Sequence, residues 1–273
     1  MSALADISAT GASAGNRVTN AIAMASRRTG VDFSYLLGQA KIESSLNPSA
    51  RAATSSATGL YQFVDQSWLA VVDKHGAEYG LGWAADAISK GSNGRYYVSD
   101  PDLRQQILDL RKHPETASVM AAEHAADNKA YLESRLGREA EPVDLYLAHF
   151  LGVGGASKFL SMNDRAPGAT AASIFPAAAR ANRSIFYDRA GNARSFADIR
   201  DRFASKLQKG VDSIGTGNVQ YADASLPSGA KTVAPADYVR IETQRLATQA
   251  DVIVRPEPQT ARLAYLMLAT LGR

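Results

Sequence analysis

The chain has no cysteine. Disulfides, thiolate catalysis and thiolate-bound metals are therefore excluded, while the redox compartment stays open. It also lacks any apolar run of about 18 residues, the length a spanning helix needs, so no membrane span is expected. The opening residues, MSALADISATGASAGN, carry no basic segment followed by an apolar one, so no evident secretory signal is read there. Neither sign of charge dominates: 30 Lys and Arg face 27 Asp and Glu, a formal net charge of +3. No basic cluster interleaved with aromatics occurs, and nucleic acid is not an expected partner. The mild basicity suits an anionic polymer instead.

Strand-like runs are scarce too, and no internal repeat is found. What is present is helical periodicity, with 45% hydrophobic residues to build a core. The expected fold is all-α. Residues 1–16, rich in Ala, Ser and Gly, read as a disordered N-terminus. Residues 17–208 read as one helical domain, residues 209–236 as a Gly/Ser/Asp/Ala linker, and residues 237–273 as a C-terminal helical segment able to fold back or to dock on a partner protein.

The domain is organised around one stretch, Val31 to Phe63. Asp32 is placed to cap a helix whose apolar stripe runs through Phe33, Leu36, Leu37 and Ala40. The next inward position is Glu43. Pro48 bars continuation of the helix, so this carboxylate lies in its last turn, near the negative end of the macrodipole. Burial and that dipole both disfavour the ionised form, as a general acid working near neutral pH requires. The bland alternative is a solvated Glu, or one paired with Lys41 or Arg51. The next loop, Ala52 to Gly59, has almost no bulk, and a ligand can approach its backbone closely. Leu60-Tyr61-Gln62-Phe63 then supplies an amide and rings. An acid beside a small-walled groove suits a sugar polymer.

In the order Glu43-Ser44, Asn47-Pro48, a small-residue loop and Gly59-Leu60-Tyr61-Gln62, the chain resembles the soluble lytic transglycosylases of the goose-lysozyme-like superfamily. SSATGLYQF is closest to the branch found in phage lysins and alphaproteobacterial envelope enzymes, some flagellum-associated. IFYD, a glycine turn and R-S before the helix at Ser195 extend the likeness over residues 17–208. The resemblance implies a lysozyme-like helical domain with a substrate cleft, acting on the glycan strands of peptidoglycan in the periplasm or cell envelope. It implies that Glu43 is the catalytic acid and then base, cleaving MurNAc-β-1,4-GlcNAc bonds with formation of 1,6-anhydroMurNAc. It further implies that Ser44 orients the acid, and that Ser55, Ser56, Gly59, Tyr61 and Gln62 hold the glycan. An envelope substrate without a signal requires another export route, a phage particle or a trimmed leader.

Further along, Glu123 falls on the apolar face of the helix expected over residues 115–136. It is either a buried structural acid or a group in the groove. Where the family carries a Y-N-A-G-type motif whose Tyr helps to orient the acid, this chain has Ala148-His149-Phe150-Leu151-Gly152. Tyr146 and His149, three apart on one helix, are alternatives for that ring. No metal-ligand pattern is read, and no cofactor is implied. Two rival functions remain. One is a hydrolytic muramidase with Glu123 as base; the other is a non-catalytic glycan-binding component of envelope assembly.

Overall fold

The computed structural model describes residues 17–213. The disordered N-terminus, most of the linker and the C-terminal helical segment expected from the sequence lie outside them. Residues 17–29 form helix α1, and Asp32 caps α2 (Phe33–Ser44) by accepting the Tyr35 amide at 2.7 Å. Such a cap is worth about 1 kcal/mol. Leu36 and Ala40 on its stripe are fully buried, and Tyr35, Leu37 and Glu43 nearly so. The helix ends on two consecutive non-glycine residues of positive φ, Ser45 at 55° and Leu46 at 65°. The next such residue is Gln62 at 48°, and these three are the only ones among the described residues. Each costs on the order of 1–3 kcal/mol and persists only where the surroundings fix it.

The small-residue loop crosses to α3 (Asp65–His75), and a 3-10 turn at Gly76–Tyr79 leads to α4 (Gly82–Ala87). Besides α4, the stretch from Gly80 to Gly94 carries the first strand of a two-residue antiparallel pair, β1 (Ser89–Lys90) with β2 (Tyr96–Tyr97). The fold is otherwise helical, as expected. Asp100 caps α5 (Pro101–Asp109), and a 3-10 turn, Leu110–Lys112, precedes α6 (Pro114–Leu136), the longest helix described. Next come α7 (Pro142–Leu151) and α8 (Val153–Arg165), then the short helices α9 (Ala171–Ile174), α10 (Pro176–Ala181) and α11 (Arg183–Phe186), and last α12 (Phe196–Asp212).

Ser195 and Asp198 form a reciprocal capping box at the start of α12. Its apolar stripe, Phe196, Ile199, Phe203 and Leu207, is buried throughout. This helix runs four residues past the predicted end of the domain, because Gly210 is part of a contact. A Cβ at Gly38 would sit 2.9 Å from Leu207 Cδ1, and one at Gly210 would sit 3.2 Å from the Gly38 carbonyl oxygen. The two glycines let α12 cross α2 backbone to backbone, and that crossing holds the far side of the helix carrying Glu43.

Candidate active site

The small-residue loop is fixed from beneath by Arg111, a buried guanidinium that the sequence reading passed over. It donates to the carbonyls of Leu108, Ser56 and Phe63 at 2.8–2.9 Å, and to Asp65 Oδ1 at 2.9 Å. Desolvation pushes its pKa down and the Asp65 carboxylate opposes that. Gly59, at φ 85°, lies against the same residue: an added Cβ would meet the Arg111 carbonyl oxygen at 2.0 Å. Glycine is thus required there by backbone contact as well as by its dihedral.

Several residues assigned to glycan binding by resemblance have internal partners. Ser44 donates to the carbonyls of Ala40 and Leu60, at 3.0 and 2.9 Å, and so ties the end of α2 to the loop. Gln62 is buried, and its amide donates to the carbonyls of Ala50 and Gly59. Tyr61 is 1% exposed, and its hydroxyl is buried beside that of Ser118. These three and Gly59 shape the loop from within. Ser55 and Ser56 are half-buried; the first accepts the Ala57 amide and the second the Asp65 amide.

Glu43 is 2% exposed. The Tyr146 hydroxyl donates to its Oε1 at 3.2 Å, and His149 Nε2 lies 3.4 Å from the same oxygen. The two rings, which the sequence left as alternatives, stack with centroids 6.0 Å apart and converge on one atom. Among the described residues Oε2 carries no hydrogen bond. Burial, reinforced by the Glu43 charge, raises the Tyr146 pKa well above its ordinary value, so this phenol stays a neutral donor. Tyr35 is raised in the same way, by burial first and then by Tyr61 and Glu43. Among the described residues no Lys or Arg makes an ion pair with Glu43, and Lys41 and Arg51 are not its partners. The structure does bring in one cation that feels its charge, Lys206, also missed by the sequence reading. Its body is exposed, and its ammonium stands over the Tyr146 ring at 5.9 Å. Desolvation lowers the Lys206 pKa and the Glu43 charge acts the other way.

A groove of about 1440 Å³ adjoins this point. Glu43 is not in its wall, but its helix neighbour Ile42 is, as are Phe203 and Lys206. Six cations line it, Arg180, Arg183, Arg194, Arg202, Lys206 and Lys209, against three aspartates. None of the six has an ion-pair partner among the described residues.

Glu123 lies elsewhere, between α6 and the end of α3. The Tyr79 hydroxyl donates to its Oε1, and His75 Nδ1 faces its Oε2 at 3.6 Å. His124 is half-buried, with its ring edge-on to Phe63. Although no metal pattern was read from the sequence, His75, Glu78 and Glu123 offer ligand atoms within 4.8 Å of one another. No family model matches the chain.

Proposed function

We propose that this protein is a peptidoglycan lytic transglycosylase with Glu43 as its single catalytic carboxylate. The observation that carries this reading is the acid itself: buried at a helix end, held at one oxygen by a neutral phenol and an imidazole, and unpaired by Lys or Arg. A buried carboxylate kept without a cationic partner is costly unless it serves a purpose. The resemblance of the Glu43-Ser44 and Gly59-Leu60-Tyr61-Gln62 segments to lytic transglycosylases supplies the substrate and the reaction.

In this scheme protonated Glu43 gives its proton to the oxygen bridging MurNAc and GlcNAc, and the glycosidic bond breaks. The carboxylate left behind takes the proton from the C6 hydroxyl of the same MurNAc, whose oxygen closes the 1,6-anhydro ring. Tyr146 and His149 hold Oε1 so that Oε2 faces the sugar. Because the nucleophile belongs to the substrate, no second carboxylate is needed, whereas ordinary glycosidases use two. The surroundings of Glu123 favour this over the muramidase alternative, since its Oε1 is already held by the Tyr79 hydroxyl and the Glu123 side chain lies against His75, apart from Glu43. The cationic groove suits the carboxylate-bearing peptides of the wall polymer, and the cell envelope is the site of action this substrate demands.

Mass spectrometry of the products released from purified sacculi tests the reading. Fragments ending in 1,6-anhydroMurNAc are expected; reducing ends alone would mean hydrolysis. Glu43→Gln removes the proton carried in both steps and is expected to lower the rate by at least ~10²-fold. Undiminished solubilisation by that variant would leave only a glycan-binding role.

A further inference from the structure

The end of α3, the 3-10 turn and the middle of α6 bring together four groups that the proposed chemistry does not use: His75, Glu78, Glu123 and Asp127. Asp127 accepts from Lys74 Nζ at 2.7 Å through one oxygen, and its other oxygen lies 3.0 Å from His75 Nε2. An imidazole N–H on Nε2 meets that carboxylate oxygen, and Nδ1 then faces Glu123 Oε2, 3.6 Å away and beyond hydrogen-bond length, on a residue only 9% exposed. In that tautomer Nδ1 and Oε2 are both donor atoms that one cation can share.

From this geometry we infer that His75 Nδ1, Glu123 and Glu78 form a binding site for a divalent transition-metal ion, with Zn²⁺ the best match. Two ligands about 2.1 Å from a tetrahedral ion stand about 3.4 Å apart, close to the separation of Nδ1 and Oε2. The widest spacing in the group, up to 4.8 Å, closes by rotation of Glu78, which is exposed and free to swing inward. Asp127 completes the carboxylate–imidazole–metal arrangement that fixes the tautomer of a ligating histidine. One imidazole with two carboxylates is a borderline donor set, which suits Zn²⁺ or Mn²⁺ better than Ca²⁺, an ion that takes six or more oxygens. A bound ion ties the 3-10 turn to α6 and occupies Glu123. The site stands or falls independently of the glycan-cleaving reading.

The test is calorimetric titration of the EDTA-treated full chain with Zn²⁺, paired with thermal unfolding. One Zn²⁺ per chain is expected, with melting raised by about 5 °C at saturating ion. Glu78→Gln, a surface change that leaves the fold alone, is expected to weaken binding at least ~10-fold, and His75→Asn to abolish it. Asp127→Asn is expected to weaken it ~10- to 100-fold. Absence of binding to the parent protein at millimolar Zn²⁺ would overturn the inference. So would unchanged affinity in Glu78→Gln and His75→Asn, or Ca²⁺ binding as tightly as Zn²⁺.

Discussion

At the scale of single residues, the site depends on which proton donors stay neutral. Tyr146 is held protonated by burial and by Glu43, so it delivers the same hydrogen bond across the working pH range. Tyr146→Phe removes that bond while keeping the ring against Phe203. A hydrogen bond to a charged group is worth roughly 1.5–3 kcal/mol, and kcat on sacculi is expected to fall about 10- to 100-fold with little change in KM. His124 tests the surroundings in another way. Burial first, with the charge of His149 adding to it, pushes its imidazole from 6.5 down to about 4. The unfolded chain therefore takes up a proton near pH 6.5 that the folded chain refuses until about pH 4. The stability from neutral His124 is complete above pH 6.5 and drains away as pH falls towards 4, at most about 3 kcal/mol in all. Denaturant titrations at pH 7 and pH 4.5 measure it, and His124→Gln is expected to flatten the difference.

Between elements, the decisive contacts run through Arg111 and Gly59, which seat the loop beside the acid. Arg111→Ala strands the buried carbonyls of Ser56 and Phe63 and takes one cation from Asp65. A loss of about 3 kcal/mol in unfolding free energy is expected, with activity falling further than stability because the loop no longer seats. How much of this was legible varied with sequence distance. Local signals carried through: the Asp32 cap, the burial of Glu43 and the helical periodicity behind an all-α fold. Contacts across the chain left no local trace. Arg111 looks like any charged residue before a helix, and Lys206 lies far along the chain from the acid it faces. Gly59, Gln62 and Tyr61 were legible as a motif, but the inward turn of Gln62 follows from its positive φ and from the Ala50 and Gly59 carbonyls it reaches. Helix α4 left no trace because it is only six residues long, too short to show a period.

Across the whole molecule, a net charge of only +3 conceals an uneven distribution. Six unpaired cations meet in the groove beside α12, while Asp65, Asp127 and Asp144 are each paired with bases in the scaffold. Binding to sacculi is therefore expected to weaken steeply with salt. Reversing two exposed charges together, Arg202→Glu with Lys209→Glu, is expected to cut sacculus retention at low salt several-fold and to reduce its salt dependence. Co-sedimentation across a salt series measures both. The crossing of Gly38 with Gly210 also sets an order of events during synthesis. The helix bearing the acid is made early, yet its outer side stays uncovered until the last described helix has left the ribosome. A nascent or prematurely ended chain thus holds Glu43 in an unfinished cradle.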